Sequence, residues 1–219
     1  PLLAYFPSRI DETTLPGPRS IAESTLIAGV MMPSPNSNPP TSKTADPPQT
    51  DGHFVVVLGG ANMDISGSTT QPLVLSDSNP GRIRCAPGGV ARNVAENLAR
   101  LGTATRLLTA VGDDLYGRSL LDATGNAGVD VRGVWVLADT ATSTYVSLHG
   151  PDGDMAVAVN DMDILDCITP ERLSPYAPWV QQAAALAVDC NVGSPALEWV
   201  FAKRGVTPVF VDAVSAFKC

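Results

Sequence analysis

The sequence reads as an α/β fold: a mainly parallel sheet covered by helices and carrying a small β extension. Three observations lead there. Short apolar runs rich in β-branched residues recur along the chain, among them FVVVL (54–58) and TPVFVD (207–212), and such runs suit strands buried on both faces. Stretches with helical spacing separate them. A single hairpin signal, Pro151-Asp152-Gly153, lies between two strand-like runs. Strand and helix in alternation, with one hairpin inserted, is the pattern of a parallel sheet with an extension.

Each element has a local cause. FVVVLGGANMD starts as a buried strand and ends at two glycines; the polar stretch SGSTTQPLVLSDSNPG (66–81) reads as a loop before the short run RIRCA (82–86). CAPGGVARNVAENLARLG (85–102) then predicts a helix. Its Val90, Val94, Leu98 and Leu101 recur at steps of four, four and three, and Gly102 supplies the stop. TRLLTAVG (105–112) is a second strand, and DLYGRSLLDATGNAG (114–128) a second helix capped by Asp113 or Asp114. VRGVWVL, TSTYVSLHG and DMAVAVN read as three strands, the last two joined by the hairpin turn. SPYAPWVQQAAA leads into the strand LAVDC (186–190), PALEWVFAKRG makes a helix, and TPVFVD closes the series.

Composition narrows the classes of function. The 219 residues are 44% hydrophobic and 16% charged, with a net charge of −8, which disfavours a nucleic-acid or anionic-membrane binder. No apolar run approaches the ~20 residues that span a bilayer. The four cysteines (Cys85, Cys167, Cys190, Cys219) lie far apart, and with His53 and His149 they make no metal-ligand spacing, so reduced cysteines, a cytoplasmic location and no metal site are expected. Ten of the nineteen prolines fall in the first 50 residues, and Met32 to Gly52 is nearly empty of large apolar side chains. Residues 1–52 are therefore expected to be a disordered Pro/Ser-rich extension or linker, with the folded domain over 53–219. A start at Pro1 without a basic-then-apolar leader suggests a piece of a longer product.

The helix that opens at Gly88-Gly89 is the first candidate site. A helix N-terminus offers unpaired N–H groups and a positive dipole end, and glycine lets a ligand come close. A P-loop would need a lysine and a hydroxyl at this start, and a dinucleotide fingerprint would need G-x-G-x-x-G; neither is present. A tight entry turn alone would also explain the two glycines. Asn62 and Asp64 tip the reading, because they follow the first strand, where α/β sheets place ligands. A carboxylate beside an amide suits vicinal hydroxyls. Asn62, Asp64, Gly88, Gly89 and Asn93 in one crevice would make a polyol site.

NMD after a strand, then PGGVARNVAENLARLG, then AVGDDLYGRSL, resemble in order the N-terminal half of the PfkB, or ribokinase-like, carbohydrate kinases. The resemblance implies a three-layer ribokinase-like fold with a central, mainly parallel sheet. It implies that Asn62 and Asp64 hold sugar hydroxyls, with Gly88, Gly89 and Asn93 closing the other side. The segments around RIRCA and TSTYVSLHGPDGDMAVAVND would form a β lid that keeps water from phosphoryl transfer. Within the family, SDSNPGRI, AVNDMDI, AVDCN and VDAVSAFKC resemble the pseudouridine kinases, with Ala213 standing where that subgroup usually has proline. ATP-dependent phosphorylation of the 5′-hydroxyl of pseudouridine is the implied activity.

Asn160 and Asp161 either read the base or ribose or form a polar turn; Ser78 and Asn79 either touch substrate or make the Ser-Asn-Pro-Gly turn. Asp189 and Asn191, at a strand end, are weaker candidates. The family carries its catalytic Asp in a Gly-Ala-Gly-Asp helix start, with ATP and Mg²⁺ sites nearby, and no such string occurs up to Cys219. The chain is thus expected to be the N-terminal portion of a kinase domain, truncated at its C-terminus, with no catalytic residue of its own and no turnover alone. An upstream pseudouridine-5′-phosphate glycosidase domain and a homodimer through the lid are further implied. The rival readings are a kinase for ribose, another sugar or another nucleoside, and a non-catalytic ligand-binding fragment.

Overall fold

The computed structural model describes residues 53–215; the linker expected over 1–52 lies outside them. Five parallel strands form the main sheet. Their spatial order is Val134–Leu137 (β5), Ala104–Gly112 (β4), Phe54–Leu58 (β1), Ala185–Asp189 (β8) and Val209–Asp212 (β9). β1 is central because it is apolar at every position and has neighbours on both sides.

Period-two alternation splits the strands between two cores. Phe54, Val56 and Leu58 point with Leu108, Ala110, Leu186 and Val188 into one buried cluster. That cluster is closed by the 3-10 turn Asp163–Cys167 and by α3 (Pro170–Leu173), α4 (Ala177–Gln182) and α5 (Ser194–Lys203). On the opposite face Val57 and Leu107 meet Ala91 and Ala95 of α1 (Val90–Arg100), and Val111 meets Leu120 of α2 (Leu115–Asn126). The result is three layers, helices on both sides of a parallel sheet.

The helix stripe differs from the sequence expectation. Ala91 and Ala95 are the buried apolar positions of α1, with Val94 and Leu98 packed beside them, whereas Leu101 is 82% exposed. Leu101 is the C-cap, where the chain leaves helical geometry before Gly102 (φ 86°), so the 3.6 period no longer governs its direction.

A second, four-stranded sheet carries Gly81–Gly88 (β3), Asn62–Thr69 (β2), Thr144–His149 (β6) and Met155–Asp161 (β7) in that spatial order. This is the β extension, and it holds one more strand than the sequence suggested. Ser66–Thr69, read as part of a polar loop, continue β2, paired antiparallel with β3 and parallel with β6. Pairing on both edges outweighs the low strand propensity of its glycine and serines. The hairpin at 151–153 is present between β6 and β7.

At the far end of the main sheet, Arg106 is buried between aromatic faces. Its guanidinium lies 3.7 Å from the ring centre of Phe54 and 4.6 Å from that of Trp179, with Asp130 at 3.7 Å. Stacking and the ion pair offset the desolvation of this side chain.

Candidate functional site: the crevice above strands one and eight

After β1 the chain visits β4 and β5 on one side, and later β8 and β9 on the other. The C-terminal ends of β1 and β8 therefore border the switch point, where an open α/β sheet leaves a crevice. Gly59-Gly60 follow β1 there, and α1 starts above them.

The N-cap of α1 is Gly89, which has no capping side chain. The cap comes from across the fold. Asp189, 1% exposed at the end of β8, accepts hydrogen bonds from the N–H of Gly60 (2.9 Å) and Ala91 (2.8 Å) through Oδ2. Its Oδ1 accepts from the N–H of Asn191 at 2.9 Å. One carboxylate thus ties β1, β8 and α1 together at the positive end of the helix. Gly59 leaves room for it, since a Cβ there would overlap the Asp189 carboxyl.

Asn62 and Asp64 open β2. Asn62 is buried and donates from Nδ2 to Asp64 Oδ1 at 2.5 Å. Strand register sets Asn62 opposite Gly88, and a Cβ on Gly88 would overlap the Asp64 carboxylate. Gly89 (φ 98°) then turns the chain into α1, where a Cβ would overlap the Gly60 carbonyl and Ala61. The pair and the helix start are in contact through missing side chains.

Arg92, 4% exposed, holds the first turn of α1. Its Nε donates to the Gly88 carbonyl at 3.0 Å, one terminal nitrogen pairs with Glu96 at 2.5 Å, and the other donates to Asn93 Oδ1. That last bond fixes which end of the Asn93 amide is left to donate. Hydrogen bonds from Arg92 and then Arg100 hold the Glu96 carboxyl below its ordinary value against the opposing effect of burial.

The lid positions differ among themselves. Asp64, Tyr145 and Asn160 are paired in one row across β2, β6 and β7, so their side chains share a face. Two strand spacings separate Asp64 from Asn160, roughly 10 Å. Asp161 is one residue on and points to the other face, where its carboxylate accepts from the Asp163 N–H at 3.5 Å. Asn79 is taken up by its own loop: Oδ1 accepts from the Val74 N–H (2.8 Å), and Nδ2 donates to the carbonyls of Val74 (2.9 Å) and Asp77 (3.0 Å). Ser78 is exposed, its N–H given to Asp77 at 2.7 Å. The structure thus gathers Asn62, Asp64, Gly88, Gly89 and Asn93 at one corner and sets Asn160 across from them. Asp161, Ser78 and Asn79 lie outside that corner.

The profile described as pfkB family carbohydrate kinase matches residues 53–216. The chain belongs to this family. A pseudouridine kinase of Escherichia coli strain K12 is 46% identical over 166 residues, covering 76% of this chain and 53% of that protein. The sugar kinase YeiI of the same strain, whose substrate its name leaves open, is 43% identical over 169 residues, covering 77% and 47%. Among solved structures, a carbohydrate kinase from Agrobacterium tumefaciens superposes with a TM-score of 0.70 at 29% identity, covering 75% of this chain and 55% of that one. The chain spans about half the length of the curated relatives it matches.

Arg92 had no place in the sequence reading, and Asp189 entered it only as a weaker candidate at a strand end. Its capping role carried no local signal, because the partners it joins, Gly60 and Ala91, lie 129 and 98 positions away. Arg92 did carry one: an arginine in the first turn opposes the helix dipole, so its presence there asks for a partner, and Glu96 is four residues on. Among the described residues no helix is long and apolar enough to cross a membrane.

Proposed function

We propose that this chain supplies the sugar side of an ATP-dependent PfkB kinase that phosphorylates the 5′-hydroxyl of pseudouridine. The observation that carries the reading is the Asn62–Asp64 pair packed against Gly88 at the root of the lid, beside the N-terminus of α1. Asp64 accepts from vicinal ribose hydroxyls, and Asn62 orients the carboxylate. Gly88 and Gly89 admit the sugar ring, Asn93 donates from the opposite side, and Asn160 reads the ligand from the lid. ATP is the phosphoryl donor and Mg²⁺ the charge-neutralising ion of such chemistry. Among the described residues no cluster of three or more acidic, His or Cys side chains is placed to hold a metal, and neither the base nor the magnesium ligands are assigned to them. A cytoplasmic location fits this substrate.

Calorimetric titration of the full chain with pseudouridine, uridine and ribose tests the reading. Pseudouridine is expected to bind tightest. Asp64→Asn is expected to weaken it by about ten- to a hundredfold, the loss of a hydrogen bond to a charged acceptor, about 1.5–3 kcal/mol. Tighter ribose binding would replace pseudouridine with ribose, and the comparable identity to the sugar kinase YeiI keeps a sugar substrate as the second reading.

The lid also fits a second copy of the chain. Its face opposite Asp64 exposes Ile83, Val146, Leu148, Val157 and Val159, the last at 67%. Sedimentation is expected to show a dimer that Val159→Lys converts to monomer; a monomeric parent chain at micromolar concentration would remove the idea.

A further inference from the structure

The lid is rooted in the main body at more than one place, and one root is held by a carboxylate away from the pocket. Asp114 caps α2, with Oδ1 accepting from the N–H of Gly117 at 2.8 Å. A cap needs nothing more, yet the same carboxylate has further partners. Oδ1 also accepts from the Thr142 hydroxyl at 2.7 Å, and Oδ2 accepts from the Thr142 N–H at 2.8 Å. The Thr142 hydroxyl in turn accepts from the Gly112 N–H at 2.9 Å. Burial raises the pKa of Asp114, but hydrogen bonds from Thr142 and Gly117 outweigh it and leave the carboxyl below its ordinary value.

Thr142 and Ser143 are the last residues before β6, and both are almost fully buried. Ser143 contributes no side-chain anchor, since its buried hydroxyl makes no hydrogen bond. Its carbonyl, however, accepts from the Met63 N–H at 2.9 Å. Met63 is 3% exposed, packs on Val111 and Leu120, and sits between Asn62 and Asp64. A continuous path runs from the start of α2 through Thr142 and Ser143 to the backbone between the two polyol residues. Space around it is closed: a Cβ on Gly112 or Gly117 would overlap backbone carbonyls.

We infer that Asp114 and Thr142 are positioning residues of the pocket, fixing Asn62 and Asp64 through the 142–143 segment without touching ligand. The inference rests on the reading of Asn62 and Asp64 as sugar contacts, and the test separates the two. Thr142→Val in the full chain removes the hydroxyl while keeping the branched shape and the backbone N–H. Amide hydrogen exchange is read at Met63 and Gly117, and pseudouridine binding is measured alongside.

Exchange at Met63 is expected to quicken by about tenfold while Gly117, still capped by Asp114, is unchanged. The dissociation constant for pseudouridine is expected to rise about fivefold, and Thr142→Ser to restore both. Unaltered exchange at Met63 overturns the inference, and so does faster exchange with unaltered affinity. If the parent chain binds no pseudouridine while Met63 still responds to Val and recovers with Ser, the pinning stands and the ligand assignment falls.

Discussion

Asp189→Ala is expected to destabilise the domain by about 3 kcal/mol, which for a domain of this size lowers the melting temperature by about 10 °C. The loss has two parts. The N–H groups of Gly60, Ala91 and Asn191 lose their acceptor in a place where the carboxylate was 1% exposed. An orphaned buried donor costs about 1–3 kcal/mol, and water entering the space left by the side chain recovers part of that. The start of α1 also loses its only side-chain cap, about 1 kcal/mol. Asp189→Asn keeps a single oxygen and turns an NH₂ toward N–H donors, so an intermediate loss is expected. Urea unfolding followed by circular dichroism measures both. A shift under 1 kcal/mol for the alanine variant would mean that α1 is held by its apolar face alone.

Gly89→Ala is the second large effect, and its origin is steric. The residue has φ 98°, which an L side chain enters at a cost of about 1–2 kcal/mol, and its Cβ would overlap the carbonyl of Gly60. Gly102, just past the other end of α1, provides a control. Its φ is 86°, but nothing lies within 4 Å of a Cβ placed there. Gly102→Ala is therefore expected to show the conformational cost only. Gly89→Ala must also push the start of α1 away from Gly60 and Ala61, with a total above about 3 kcal/mol. Equal melting temperatures for the two variants would refute the overlap argument.

These two residues also mark what the sequence could and could not reveal. The glycine pair was legible because its signal is local: two residues without side chains, next to a helix with a clear apolar stripe and a stop. Asn62 and Asp64 were legible because they follow a strand that ends in glycine, and position relative to a strand end carries meaning in this class of fold. Asp189 could be noticed only as an acid at a strand end, since its role exists through Gly60 and Ala91, residues that the sheet order alone brings near. β2 was hidden for a related reason. Its small and polar residues have little strand preference, and the two neighbours that hold it in place are β3 and β6, the second far along the chain. The row that sets Asn160 with Asp64, and turns Asp161 away, follows from register between three strands, which no local pattern encodes.

The middle ladder of the lid has a consequence for engineering. β2 with β3, and β6 with β7, are local hairpins, but the parallel β2–β6 ladder that joins them pairs segments distant in sequence. Neither hairpin contains both Asp64 and Asn160. No continuous peptide shorter than most of the domain therefore carries the lid's polar row, and it cannot be grafted as a cassette onto another scaffold. Exchanging specificity between relatives means exchanging both hairpins together, with the strands beneath that bring them side by side.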